Sequence, residues 1–253
     1  MFPDPIYYYI LLIVTGVIAG FINTLAGGGS NLTIPALMVM GMPPDIANAT
    51  NRVGVFLQGV VATSGFSKHG VLEMADAKYI LLITLSGGVL GALIASFLPN
   101  LYLKPILLGS MILMALIILI RPSTIMPPPG TPVLKAKETP QAWVGLFIAG
   151  LYGGFVQAGV GFLLIGAIAG TLRYDLVRTN ALKMLCTLIF TSAALAIFVL
   201  RDQVVWIPGL MLAIGCMIGA HYSVRFAIKV SQNFLKQFLF GMTLVACAAA
   251  YFS

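Results

Sequence analysis

Long apolar stretches recur along almost the whole chain, and they restrict the possible folds more than any other feature. A transmembrane helix needs about 20 apolar residues, because each residue adds about 1.5 Å toward a hydrocarbon core about 30 Å thick. Only 8% of the 253 residues are charged and the mean hydropathy is +1.03, values far from those of a soluble domain. No cleavable leader pattern precedes the first stretch at Ile6, so we expect it to stay in the protein. The sequence therefore predicts an all-α, polytopic integral membrane protein.

The apolar segments form two groups on either side of a polar, proline-rich stretch. In each group the order of segments is long, short, long, long, long. The predicted segments are Ile6–Ala26, Asn31–Gly41, Ile46–Gly65, Tyr79–Leu98 and Leu103–Ile120, followed by Trp143–Ala158, Phe162–Leu172, Asn180–Leu200, Val204–Ser223 and Phe234–Phe252. We therefore divide the chain into a first repeat over 1–122, a linker over 123–141 and a second repeat over 142–253.

Small-residue motifs recur in the same order in the two groups and indicate a duplication. Glycines at this spacing favour close helix packing in lipid, so the order of the motifs is more informative than any single one. The corresponding pairs are Gly16-x-x-x-Gly20 with Gly150-x-x-x-Gly154, Gly27-x-Gly29 with Gly159-x-Gly161, Asn48 with Asn180, Asn51 with Lys183, and Gly87-x-x-x-Gly91 with Gly215-x-x-x-Gly219.

The distribution of Lys and Arg indicates that the second repeat is inverted relative to the first. If all ten segments count as passes, one side holds 11 of the 14 basic residues and the other holds Arg52, Lys104 and Arg201. If each short segment only continues its predecessor, the division is 8 against 6. Lys and Arg are enriched in cytoplasmic loops, which favours inverted five-segment repeats in the cytoplasmic membrane, with both termini outside. The short segments are about 16 Å long, and they either cross the membrane or form re-entrant hairpins. The division of basic residues between the two sides is the same in both cases.

Other functional classes have little support in the sequence. The formal charge is +7, but the basic residues lie singly between apolar runs, so no nucleic-acid partner is predicted. The three cysteines lack metal-ligand spacing, and nothing pairs a nucleophile with a base, so we predict no metal, no cofactor and no enzyme activity. All seven acidic residues lie in loops or at segment edges: Asp4, Asp45, Glu73, Asp76, Glu138, Asp175 and Asp202.

A glycine-rich break in the first repeat is the first candidate binding element. Three consecutive glycines do not hold a helix well, and free N–H groups before a helix N-terminus bind anions. The alternative is a tight turn that needs small residues. The candidate binding residues at this break are Asn23, Gly27, Gly28, Gly29, Ser30 and Asn31, with Gln157 at the corresponding break of the second repeat.

Two polar stripes complete the candidate site. Asn48, Asn51 and Arg52 lie on one helix face, and Asn180 and Lys183 form the corresponding stripe. A charge at bilayer depth costs about 2.5–3.5 kcal/mol on insertion scales, so such residues usually line a cavity or have a partner. Inversion would bring the two cations to opposite sides of a site between the repeats near the midplane, as in secondary transporters. The alternative is that both side chains snorkel to the lipid headgroups.

The first repeat resembles a known family in its motifs. These are the run Gly20–Ser30, the triplet Pro35-Ala36-Leu37 and the run Pro43–Arg52. Their combination resembles the sulfite exporter TauE/SafE family, and the resemblance implies an exporter of small anions such as sulfite or organosulfonates. The second repeat carries a weaker signature, with Lys183 in place of Asn51, so the site is not expected to be symmetric. An anion channel, a small-solute importer and a non-transporting assembly protein remain the alternatives, and homo-oligomerisation stays open.

Overall fold

The computed structural model describes residues 5–72, 74, 77–120 and 131–230, which form helices and loops without strands. This part of the chain confirms the predicted all-α membrane fold. The predicted tenth segment, Phe234–Phe252, lies outside the described residues. The helices are α1 (Pro5–Leu25), α2 (Ser30–Val39), α3 (Pro44–Lys68), α4 (Ala77–Phe97), α5 (Asn100–Ile120), α6 (Pro140–Phe155), α7 (Val160–Ile165), α8 (Leu176–Leu200) and α9 (Trp206–Lys229), with a 3₁₀ turn at Ala136–Glu138 and a π-helical turn at Gly166–Thr171 after α7.

Four helices among the described residues are long and apolar enough to cross a membrane: Ile6–Leu25, Ala77–Phe97, Leu176–Leu200 and Trp206–Lys229. Helix α3 is as long as α8, at 25 residues each, yet it is not apolar enough to be one of these four. The reason is its polar face, which includes Asn48, Asn51 and Arg52. Because most of this face is buried inside the protein, α3 does not depend on lipid to cover it.

The glycine motifs form two helix pairs, each of which joins the first predicted repeat to the second. Helix α1 packs along α9, and α4 packs along α6. The Gly16-x-x-x-Gly20 motif meets Gly215-x-x-x-Gly219, and Gly87-x-x-x-Gly91 meets Gly150-x-x-x-Gly154. A Cβ at any of these eight glycines would overlap the backbone of the partner helix. Motifs that correspond in sequence therefore take corresponding places in the packing.

Both short helices fold back along the helix that precedes them. Gly29, at the start of α2, lies against the backbone of Ala19 in α1, and Leu37, near the end of α2, shares a core cluster with Leu12. In the second repeat, the segment formed by α7 and the π-helical turn lies in one cluster with α6, through contacts that include Leu164 and Leu146. Each pair is therefore a helical hairpin with a glycine-rich tip.

The described part of the predicted linker packs on the second repeat. Ala136 is fully buried, and its carbonyl oxygen accepts a hydrogen bond from Trp143 Nε1 at 2.6 Å. The amide of Leu134 donates to Leu172 O at 2.9 Å. Residues 131–139 therefore form part of the folded body and are not a free tether.

Candidate functional site

The tips of the two hairpins touch. The amide of Gly161 donates to Gly27 O at 3.3 Å, and a Cβ on either glycine would overlap the backbone of the other. Gly27 has φ +90° and Gly159 has φ +76°, in the left-handed region that glycine tolerates best. Because α1 and α6 end at these breaks, their last carbonyl groups have no partner within the helix and carry partial negative charge.

Arg52 binds the carbonyl end of α6. Its side chain is 0% exposed, although it comes from α3 of the first repeat. Nη1 donates to Gly153 O at 2.6 Å, and Nη2 donates to Gly154 O at 2.7 Å. Nη1 also donates to Gln157 Oε1, which accepts a second, longer bond from Thr191 Oγ1 at 3.4 Å. Arg52 thus ties the first repeat to the broken helix of the second.

Lys183 makes the corresponding contact with the carbonyl end of α1. It comes from α8 of the second repeat and is 1% exposed. Nζ donates to Asn23 O at 3.1 Å, to Thr24 O at 2.8 Å and to Asn180 Oδ1 at 2.9 Å. Each predicted repeat therefore supplies one cation that caps the broken helix of the other.

Asparagines of α3 hold the neighbouring elements in place. Asn48 Nδ2 donates to Phe155 O, the last residue of α6, at 2.8 Å. Asn51 Nδ2 donates to Ser30 Oγ at 3.1 Å, and its Oδ1 accepts from Thr33 Oγ1 at 2.6 Å. One face of α3 thus contacts the end of α6 and the start of α2.

Gln58 and Thr24 belong to the same polar cluster, although they are absent from the predicted binding residues. Asn23 Nδ2 donates to Gln58 Oε1 at 3.1 Å. Gln58 Nε2 donates to Thr24 Oγ1 at 3.1 Å and to Gly20 O at 3.2 Å. Gln58 lies seven residues after Asn51, two turns along the same helix face, and this spacing is the signal that could have identified it.

The remaining predicted residues lie at the first break. Gly29 packs so closely on α1 that a Cβ would meet Ala19 O, which agrees with the tight-turn alternative. A Cβ at Gly28 would lie 3.1 Å from the ring of Phe162 in the other hairpin. The amide of Asn31 donates to Gly28 O at 3.1 Å, and its half-buried side chain has an unpaired Oδ1. The twelve predicted residues thus surround the meeting point of the two hairpins.

The cluster has an excess of positive charge. Arg52 and Lys183 are the buried ionic side chains among the described residues, and none of the four described acids is buried. The helix ends that they cap each carry roughly half a negative charge, which offsets the two cations only in part. Neither side chain reaches the surface, as snorkelling would require.

A separate cavity of about 430 Å³ lies near the start of α9. None of the twelve predicted binding residues lines it. Its lining is mostly apolar and comprises Tyr8, Tyr9, Met40, Val204, Val205, Trp206, Ile207 and Pro208.

Comparison with known proteins gives a consistent result. Residues 12–250 match the family described as sulfite exporter TauE/SafE. The chain is 28% identical to "Probable membrane transporter protein YfcA" of Escherichia coli (strain K12) over 245 residues, 94% of this chain and 87% of that protein. It is 30% identical over 234 residues to "Probable membrane transporter protein ORF9" of Sinorhizobium sp, 90% of this chain and 86% of that protein. The chain therefore belongs to the sulfite exporter TauE/SafE family and is a multi-pass membrane transporter.

Proposed function

We propose that this transporter exports small anions, such as sulfite or organosulfonates, across the cytoplasmic membrane through the polar cluster where its two hairpins meet. The observation that carries the proposal is the burial of Arg52 and Lys183 without a buried carboxylate among the described residues. Burying cations is costly, and among the described residues their hydrogen-bond acceptors are carbonyl and amide oxygens without formal charge. An anion entering the cluster would supply the missing charge.

Two contact patterns support inverted repeats with the site at their interface. The corresponding glycine motifs pack as α1 on α9 and α4 on α6, and Arg52 and Lys183 cap helices of the opposite repeat. Transporters built from inverted repeats place broken helices around a midplane site and open it by moving one repeat against the other. We infer the same arrangement here, with the two repeats over 1–122 and 142–253 and both termini outside.

Transport would require the cluster to open alternately to the two sides. Nine of the twelve predicted residues carry polar or charged side chains, and all of these except Asn31 are buried in the conformation described here. We infer that this conformation is closed around the site. Separation of the hairpin tips, held by the backbone contact between Gly27 and Gly161, would be part of the opening movement.

Flux measurements in proteoliposomes test the proposal. We expect the wild type to move labelled sulfite or sulfoacetate, and we expect Arg52→Ala and Lys183→Ala to reduce the initial rate at least tenfold. Lys135→Ala is the matched control, because this lysine is 71% exposed and lies outside the cluster. Circular dichroism and size-exclusion chromatography would establish that each variant is folded. Unchanged flux in both folded cluster variants would exclude this site.

Further outcomes of the same experiment separate the alternatives. Saturable flux with counterflow would identify a transporter, whereas flux that stays linear with concentration and lacks counterflow would identify an anion channel. Vesicles of defined orientation would distinguish export from import. A wild type that moves no anion would favour a non-transporting assembly protein.

A further inference from the structure

Arg52 and Lys183 use their hydrogen-bonding capacity to different extents. The ammonium group of Lys183 has three N–H groups, and three acceptors take them. The guanidinium group of Arg52 has five N–H groups, of which three donate to Gly153, Gly154 and Gln157. Arg52 Nε is buried and has no partner. The lysine is therefore saturated, and the arginine is not.

The free N–H groups of Arg52 lie on one edge of its guanidinium plane. The carbonyls of Gly153 and Gly154 are successive groups bound through Nη1 and Nη2, so they occupy the end of the guanidinium. What remains is the Nε–H and one N–H of Nη2, which point the same way along the side of the group. Such a pair binds two oxygens of a carboxylate or phosphate in a fork with two parallel hydrogen bonds.

The surroundings of Arg52 fix this edge in position. The guanidinium carbon lies 5.4 Å from the centre of the Phe198 ring, so the ring supports one side of the plane. Buried polar groups are almost always satisfied, so the unpartnered Nε–H of Arg52 requires an explanation, and an oxyanion acceptor would supply one.

On the basis of the function proposed above, we propose that the free edge of Arg52 binds two oxygens of one oxyanion group, carboxylate or sulfonate in type, during transport. Lys183 is a positioning residue that holds the end of α1. The two cations thus have different roles, although they take corresponding places in the two repeats. The site should then prefer anions that present two oxygens to the guanidinium over spherical anions of the same charge.

Nuclear magnetic resonance of the wild-type protein gives a direct test. Protein labelled with ¹⁵N at arginine Nε and placed in nanodiscs contains six arginines, so few signals are expected. The Arg52 signal is identified as the one that disappears in Arg52→Lys. If that variant does not fold, lysine variants of the other five arginines assign their five signals, and the sixth signal belongs to Arg52. We expect sodium methanesulfonate to shift it saturably and sodium chloride at equal ionic strength to leave it unchanged. A signal that responds equally to both salts would overturn the proposal.

Transport selectivity provides the second test. Arg52→Lys keeps the charge and removes the fork, so we expect the ratio of methanesulfonate flux to chloride flux to fall at least tenfold. Lys183→Arg keeps a cationic cap on α1, so we expect that ratio to stay within about twofold of the wild type. An unchanged ratio in Arg52→Lys, or an equal fall in both variants, would overturn the assignment of roles. A wild type that moves no anion would instead refute the proposed function itself.

Discussion

Gly27 and Gly161 are in backbone contact, with the amide of Gly161 donating to the carbonyl of Gly27 at 3.3 Å. They come from different repeats and lie at the tips of the two hairpins. The contact leaves no room for a side chain on either residue. The distance between the hairpins is therefore set by these two glycines.

We expect Gly27→Ala and Gly161→Ala each to lower the free energy of unfolding by about 1–3 kcal/mol, because each new methyl group would overlap backbone atoms. Gly27→Ala would also strain a residue with φ +90°. The control is Gly109→Ala in α5, where a Cβ meets nothing within 4 Å and a helical alanine should stabilise by about 0.5–1 kcal/mol. Unfolding by denaturant in micelles would measure all three. Equal effects at Gly27 and Gly109 would contradict the close approach.

Lys183→Met should lower the free energy of unfolding by about 2–4 kcal/mol, because it leaves the carbonyls of Asn23 and Thr24 buried without their donor. Lys135→Met is the control, since Lys135 is 71% exposed in a surface ion pair and should change stability by less than about 0.5 kcal/mol. The same unfolding measurement applies. No loss of stability in Lys183→Met would mean that the cap on α1 has no net stabilising effect.

Single cysteines in a cysteine-free background test the inverted arrangement. His69, Lys137 and Asp202 are exposed. Inverted repeats put the first two in the cytoplasm and Asp202 outside, whereas parallel repeats put all three on one side. We expect an impermeant maleimide added to intact cells to label Asp202→Cys only, and to label the other two after permeabilisation. Labelling of all three from one side would refute the inversion.

Asp175 caps the helix that carries Lys183. Its Oδ1 accepts from the amides of Val177 and Arg178, both at 3.0 Å. We expect Asp175→Ala to lower the free energy of unfolding by about 1 kcal/mol, whereas Asp175→Asn, which can still accept these bonds, should lose only a few tenths. Thermal unfolding of the two variants would measure the difference. Equal losses would indicate that charge, and not capping, is responsible.

Hydropathy and glycine spacing predicted most of the helices within a few residues. The second predicted segment of each repeat forms a short helix, because few apolar residues lie between the glycine-rich break before it and the polar residues after it. If the π-helical turn is counted with α7, the largest difference is at the end of α9, predicted at Ser223 and observed at Lys229. Arg225 and Lys229 lower the hydropathy of this stretch, but neither residue prevents helix formation. The apolar stretch therefore ends before the helix does.

The sequence placed Arg52 and Lys183 in the candidate site but did not identify their partners. The acceptors of Arg52 lie 101, 102 and 105 residues away, and no periodicity relates them to it. A physical signal was nevertheless present. A helix broken by glycines leaves its last carbonyls unpaired, and in lipid these groups need donors from elsewhere in the protein. Two isolated cations in two polar stripes were the available donors.

The capping of α1 by Lys183 also has a consequence for biogenesis. The ribosome completes Asn23 and Thr24 long before Lys183, which is 159 residues beyond Thr24. Until α8 is inserted, the carbonyls of the first hairpin lack their final donor, and lipid cannot replace it. The first hairpin can therefore reach its final state only after most of the polypeptide has been synthesised, and its capping joins the earliest helix to one of the latest.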